Sequence, residues 1–217
     1  MIIKKGFLLI IALFCSAQLI AQSKKELAKE KKSLLAYKRI YAYSDSISKI
    51  QSPGLLQKDV FRIADSLNRF HPLSYFQKVV ELLAQSKYNE ASFIYFLGSF
   101  RYSYYNYTNP DYKESSDGAL FSSLSVVTGE VVGMYLRSNV DNFIAIVKQS
   151  ADWNAKNDYK FLSKDKNPQK YQEMLDGLTK TVTDLEKNKE EFQEQYKKER
   201  ENNLKRFDDA LKRIDKH

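Results

Sequence analysis

The sequence contains few of the residue types on which most catalytic and metal sites depend. Cys15 is the only cysteine in the chain, and His71 and His217 are the only histidines. Zinc sites built from cysteine and histidine therefore lack their ligands, and a Ser–His–Asp triad would have to use His71, whose place before Pro72 is typical of a loop or helix cap. Phosphate loops of the GxGxxG or GxxxxGK[ST] type do not occur. These absences predict no metal, no cofactor and no assignable catalytic residue.

Glycine and proline are also scarce, with seven and four residues respectively among 217. Strand-like alternation of apolar and polar residues is absent, whereas apolar residues recur at intervals of three and four along most of the chain. This pattern predicts an all-α fold in which the prolines separate the helices. We expect residues 22–169 to form a bundle of about five to six helices, and residues 170–217 to form a long C-terminal helix that could belong to a coiled coil.

The first 21 residues have the pattern of a bacterial export signal. Two lysines near the start precede an apolar stretch at residues 7–14, and the small residues Ala17 and Ala21 offer cleavage sites. Cleavage after either alanine predicts a periplasmic or secreted protein that has lost Cys15 and forms no disulfide bond. A signal that is retained as a membrane anchor is the alternative.

The formal net charge of +8 is concentrated near the predicted new N-terminus, because residues 24–50 carry eight basic and three acidic side chains. Nucleic-acid-binding proteins spread basic residues over a docking face, so this clustering predicts no nucleic-acid binding. A solvated helix end is one interpretation, and contact with an anionic membrane surface is the other. The lysines that would make this contact are Lys24, Lys25, Lys29, Lys31 and Lys32.

Residues 73–107 are the most strongly patterned part of the chain. The apolar spacing predicts one helix that begins near residue 73, a tight turn at Lys87 to Glu90, and a second helix from Ala91. The SKYNEA turn makes this pair similar to a single tetratricopeptide-like hairpin, and we find no second copy of the repeat.

The second helix of that pair carries eight Phe and Tyr residues between Phe93 and Tyr107, which predicts that it lies at the centre of the bundle. The next helix has small residues four positions apart at Ser125, Gly129 and Gly133. Small residues at this spacing allow close approach of another helix. We therefore expect the two helices to pack together, with aromatic rings in the space that the glycines leave.

Two charged residues stand apart in these apolar helices. Arg101 is the only charged residue between positions 91 and 110, and Glu130 is the only acid between positions 118 and 140. A buried ion pair between them is the first interpretation, because a lone buried charge costs far more free energy than a paired one. Two alternatives stay open: Arg101 binds a ligand beside the hydroxyls of Tyr102 and Tyr105, or Glu130 acts as a catalytic acid or base.

Trp153 is the only tryptophan and lies at the end of a predicted helix that Asn139 or Asp141 would cap. We expect its ring to close the edge of the core, and anchoring of a partner is the alternative. The polar, lysine-rich residues 154–169 predict a loop.

The segments YNEASFIYFLGSFRYSYYNYTNPD, LFSSLSVVTGEVVGMY, VDNFIAIVKQSADWN and FLSKDKNPQKY resemble a group of uncharacterised small exported helical proteins of Bacteroidota-type bacteria. The resemblance covers about residues 85–180. It implies a helical periplasmic domain in which Arg101, Gly129 and Trp153 belong to recurring motifs, and it implies no activity. Val132 stands where the resemblance implies a polar residue.

The predicted function is that of an exported, non-enzymatic interaction protein of the cell envelope, which binds, restrains or helps to assemble a partner. The partner would be another envelope protein or a second copy of the chain. The expected contact residues are Arg101, Tyr102, Tyr105, Glu130 and Trp153. The alternative is an enzyme that acts on envelope glycan with Glu130 as its acid or base.

Overall fold

The computed structural model describes the backbone of residues 3–112 and 116–216, and the side chains of residues 24–111 and 117–216. The described residues form α-helices and two short 3₁₀ segments, with no strand. The predicted all-α class is therefore confirmed, with eight helices instead of the expected five or six. Met1 and His217 lie outside the described residues. The helices are α1 (Ile3–Ile47), α2 (Asp59–Leu67), α3 (Leu73–Ala84), α4 (Tyr88–Thr108), α5 (Ser116–Arg137), α6 (Val140–Lys156), α7 (Pro168–Lys187) and α8 (Lys189–Ile214).

The chain divides into two compact units, of which the smaller contains residues 1–39 and 201–217. In this unit Lys31 pairs with Asp215 at 2.6 Å, and Lys38 pairs with Asp208 at 2.5 Å. As the residue number rises by seven from Lys31 to Lys38, that of the partner falls by seven from Asp215 to Asp208, so the two segments run antiparallel. Tyr37 stacks on the ring of Phe207 between these ion pairs, with ring centroids 5.7 Å apart. The coiled coil expected here stays a prediction.

The larger unit contains residues 40–200 and is built around α4. This helix contacts α2, α3, α5, α6 and α7. Most of its side chains are buried, including Phe93, Leu97 and Tyr104, as expected for a helix whose apolar residues extend around most of its circumference. The prediction that the aromatic helix lies at the centre is confirmed.

The turn between α3 and α4 comes earlier in the chain than the sequence pattern predicts. Ser86 makes the turn with a positive φ of 58°, and α4 already begins at Tyr88. The predicted turn at Lys87 to Glu90 is therefore the first turn of α4, and this placement is corrected. The two helices approach closely at Gly98, where an added Cβ would lie 2.6 Å from the Cβ of Tyr75.

The predicted contact between the aromatic helix and the glycine-bearing helix is confirmed by the packing of α4 against α5. A Cβ added to Gly129 would lie only 2.6 Å from the Tyr95 hydroxyl oxygen, which is too close for an unstrained contact. Gly133 instead faces Arg137 of its own helix. The small residue at position 129 thus makes room for one ring of α4.

Among the described residues, the segment Asp117–Arg137 of α5 is long and apolar enough to span a membrane by length and composition. The buried helices of soluble proteins meet the same two criteria. The last two turns of α5 are buried in the larger unit at Val132, Tyr135 and Leu136, while Val126 and Val127 are exposed.

The C-terminal helix is broken, contrary to the expectation of one continuous helix from Pro168 to Lys216. Asn188 leaves the helical conformation with φ −110° and ψ 27°, and both its backbone N–H and its side-chain amide donate to the Asp184 carbonyl oxygen. The break lies next to Lys189, the residue at which a lysine interrupts the apolar spacing of the sequence.

Candidate functional site

Arg101, the first predicted site residue, is fully buried in α4 with no exposed surface. Its guanidinium donates from Nη1 to the Asn68 Oδ1 and the Tyr75 hydroxyl, and from Nε to the Asn154 Oδ1 at 3.3 Å. The guanidinium carbon also lies 5.2 Å from the ring centroid of Tyr75 and 5.0 Å from that of Tyr159. Neutral oxygens and ring faces therefore solvate this charge.

Burial governs the ionisation of the rings around Arg101. It raises the pKa of the Tyr75 hydroxyl to about 12 even though the nearby guanidinium acts in the opposite direction. It likewise raises the pKa of Tyr171 to about 12. Both phenols therefore stay neutral at physiological pH.

Glu130, the second predicted site residue, is exposed on α5. The predicted buried ion pair with Arg101 is therefore wrong, because one group is sealed inside the bundle and the other faces solvent. The physical reason is that Asn68, Tyr75 and Asn154 supply the oxygens that the carboxylate was expected to supply.

Tyr102 and Tyr105 lie on the side of α4 that faces His71 and Asp117. The Tyr102 hydroxyl donates to the Asp117 side chain at 3.3 Å, and burial together with this carboxylate raises the pKa of that hydroxyl. Tyr105 is half-buried, with its ring 4.8 Å from the His71 ring. Burial also lowers the pKa of His71, against the influence of Asp117. The two tyrosines thus form a packed aromatic cluster and do not surround Arg101.

Trp153 is half-buried at the end of α6, where its ring stacks on Phe61 at 5.6 Å and meets the edge of Phe93 at 6.1 Å. The expectation that it closes the edge of the core is confirmed by this packing. Its indole nitrogen is buried and has no hydrogen-bond partner among the residues that the structure describes.

A cleft that sequence reasoning did not find is the candidate site of the larger unit. It has a volume of about 650 Å³ and lies where the α1–α2 loop faces the start of α4. We call it the tyrosine cleft, because Tyr43 of α1, Tyr88 of α4 and Tyr135 of α5 line it together. Tyr88 stacks on Tyr135 at 5.0 Å, and Tyr43 lies 4.8 Å from Tyr88.

Buried hydrogen bonds hold the loop that forms one wall of the tyrosine cleft. The Gly54 N–H donates to the Asn142 Oδ1 at 2.8 Å, and the Gly54 carbonyl accepts from the Gln149 side chain at 2.7 Å. Asn89 links the loop to the helices, since its Nδ2 donates to the Leu55 carbonyl and its Oδ1 accepts from Tyr135 and Asn142. Gly54 has a φ of +72°, and an added Cβ would lie 2.5 Å from that of Ala145, so glycine is required there. The wall is therefore preformed.

Charged side chains of both signs line the tyrosine cleft. Glu90 is only 7% exposed and accepts the backbone N–H of Gln57 at 3.1 Å through its Oε1. Asp59 has one carboxylate oxygen 3.5 Å from the Lys87 ammonium, and its other oxygen is buried with no hydrogen-bond partner in the described part of the chain. Burial and the neighbouring Glu90 carboxylate raise the pKa of Tyr43. The cleft can thus offer rings, hydroxyls and carboxylate oxygens to a bound group.

Within the described residues, no group of three or more His, Cys, Asp or Glu side chains could hold a metal ion. Comparison with protein-family models, with curated proteins and with solved structures gives no match to this chain. The geometry of its own residues is therefore the guide to its function.

Proposed function

We propose that this protein is an exported, non-enzymatic interaction protein of the cell envelope, and that it binds a partner protein through the tyrosine cleft. The observation that carries this proposal is the group of three mutually packed rings beside an open cleft of about 650 Å³. Tyrosine is enriched where proteins bind each other, because its ring buries a large apolar area and its hydroxyl still finds a polar partner.

The preformed wall supports the same proposal. Binding costs less conformational entropy when the loop is already fixed by Asn89, Asn142 and Gln149. The leader pattern of the first 21 residues supports a location in the periplasm or outside the cell.

The experiment is affinity capture from a periplasmic extract of the source bacterium with the mature protein as bait. Tyr88→Ala removes one ring of the cleft, and we expect it to abolish capture of the specific partner. Tyr107→Ala is the matched control, because Tyr107 is an exposed tyrosine at the other end of the same helix. Identical partners for both variants would contradict a role of the cleft.

A further inference from the structure

We propose that the tyrosine cleft binds a single positively charged side chain, a lysine or an arginine, of the partner polypeptide. The Glu90 carboxylate would be its counter-ion, and the rings of Tyr43 and Tyr88, which pack against each other, would lie beside it. This inference rests on the proposed function, because it names the chemistry by which the cleft selects its partner.

Glu90 is the first observation. The residue is only 7% exposed, and within the described residues it forms no ion pair. Its one hydrogen bond comes from the Gln57 backbone N–H, a donor that suits a carboxylate. A buried carboxylate costs free energy until a cation or further donors reach it, so an incoming ammonium or guanidinium group would recover that cost.

Asp59 is the second observation, from a different helix. It lines the same cleft, and its Oδ1 is buried without a hydrogen-bond partner. Lys87 reaches only the other oxygen, at 3.5 Å, which is a long contact for an ion pair. An arginine has several donors in a fixed fork and can serve more than one acceptor oxygen at once.

The rings are the third observation. The faces of tyrosine rings attract cations, and the attraction grows when the cation is removed from water. Tyr43 and Tyr88 lie 4.8 Å apart by their centroids and line the cleft together with Glu90. The Glu90 carboxylate and the two tyrosine rings thus all attract a positive charge.

The lysines of the cleft limit the ligand to one cation. Lys58 and Lys87 line it as well, so a second positive charge on the ligand would be repelled. The fitting partner segment therefore presents one basic side chain and is not polybasic.

The test is a titration of the ¹⁵N-labelled mature protein with three five-residue peptides that differ only at the central residue, which is arginine, lysine or citrulline. Citrulline keeps the shape of arginine and lacks its charge. We expect the first two peptides to shift the amide signals of Gln57, Lys87 and Glu90, and the citrulline peptide to bind at least about tenfold more weakly. Equal binding of the arginine and citrulline peptides would overturn the inference.

Two variants test the residue assignment. Glu90→Gln keeps the size of the side chain and removes its charge, and we expect it to weaken the arginine peptide at least about tenfold. Glu81→Gln is the matched control, because Glu81 is an exposed glutamate of α3, and we expect unchanged binding. If Glu90→Gln loosens the loop and lowers the melting temperature, the comparison of the arginine and citrulline peptides on the unaltered protein still decides the inference.

The outcomes separate this inference from the proposed function. If Tyr88→Ala loses the captured partner but the arginine and citrulline peptides bind equally well, the cleft binds a protein without selecting for charge. Charge-selective peptide binding combined with unchanged capture by Tyr88→Ala would support the pocket and reject its role in that partnership. If a neutral chitin oligosaccharide shifts the same amide signals more strongly than any peptide, the ligand of the cleft is a glycan and the inference of a cationic side chain is overturned.

Discussion

Arg101 is a buried cation whose hydrogen-bond partners are neutral side chains, and these bonds give it a structural role in the core. Its three oxygen partners belong to Asn68, Tyr75 and Asn154, which come from three different parts of the chain. Its Nη2 is buried and has no hydrogen-bond partner among the described residues. The guanidinium therefore joins the α2 end, α3 and α6 to α4 through oriented bonds.

Arg101→Met should remove the donors from these oxygens and lower the free energy of unfolding by about 1–3 kcal/mol, as expected for buried polar groups left unsatisfied. Glu130→Leu should change it by no more than about 0.5 kcal/mol, because Glu130 is exposed. The double variant should show the sum of the two effects. Urea unfolding of the mature protein measures the free energies of all three variants. A coupling energy above about 1 kcal/mol would show that Arg101 and Glu130 interact after all.

His71 should make the stability depend on pH. Burial lowers its pKa below the usual value, so the unfolded chain takes up a proton more readily than the folded chain as the pH falls. The free energy of unfolding should therefore decrease below about pH 6.5, the ordinary pKa of histidine.

Asn in place of His71 should reduce this decrease between pH 7.5 and pH 5, as measured by thermal unfolding. The Asp45 carboxyl, whose pKa the hydrogen-bonded Arg200 lowers, contributes in a different window, because its stabilisation is lost only as the pH falls below about 4. An unchanged pH profile in His71→Asn would assign the decrease to other groups.

At the scale of elements, α4 and α5 pack by placing a tyrosine hydroxyl beside a glycine. The space at Gly129 is filled by Tyr95, and the two residues lie on adjoining faces of their helices. A glycine in the middle of a helix costs about 1 kcal/mol of helix propensity, so the close packing offsets a local loss.

Gly129→Ala should lower the free energy of unfolding by about 1–3 kcal/mol, since its methyl group would lie 2.6 Å from the Tyr95 hydroxyl oxygen. Tyr95→Phe removes that oxygen and should restore most of the loss in the double variant. Gly177→Ala is the control, because nothing lies within 4 Å of its added methyl group, and it should raise stability by about 0.5–1 kcal/mol. Urea unfolding gives the three values, and the absence of rescue by Tyr95→Phe would contradict the contact.

At the scale of the whole molecule, the chain divides into a larger helical unit of residues 40–200 and a smaller unit in which residues 31–38 of α1 run antiparallel to residues 208–215. The tyrosine cleft belongs entirely to the larger unit. The predicted export signal belongs to the smaller one. The predicted export signal and the proposed binding cleft therefore lie in different units of the chain.

Residues 1–23 fused to alkaline phosphatase, which is active only after export, should give phosphatase activity in intact cells. Leu8→Asp should abolish it, because a charge interrupts the apolar stretch that the secretion machinery requires. Intact-mass measurement of the full-length protein should show loss of the residues up to Ala21 or Ala17. An inactive fusion and an uncut chain would contradict export.

The sequence predicted the helices well and the candidate site poorly, for reasons that particular residues show. The spacing of apolar residues placed the helices, and Asn139 caps α6 as expected, with its Oδ1 accepting the Asn142 N–H at 3.0 Å. Glu130 was misplaced, because pairing two isolated charges ignores the neutral amides and phenols that can solvate one of them. The cleft was missed because Tyr43, Tyr88 and Tyr135 come from three separate helices.

The sequence by itself determined that the chain is helical, where most helices begin and end, and that a small residue at position 129 would allow close packing. These features depend on residues within about four positions of one another. Only the tertiary structure decided that Arg101 is sealed and that Glu90 lines a cleft. The partners of Arg101 lie 33, 26 and 53 positions away along the chain, so their contact is a consequence of packing, which no local pattern encodes.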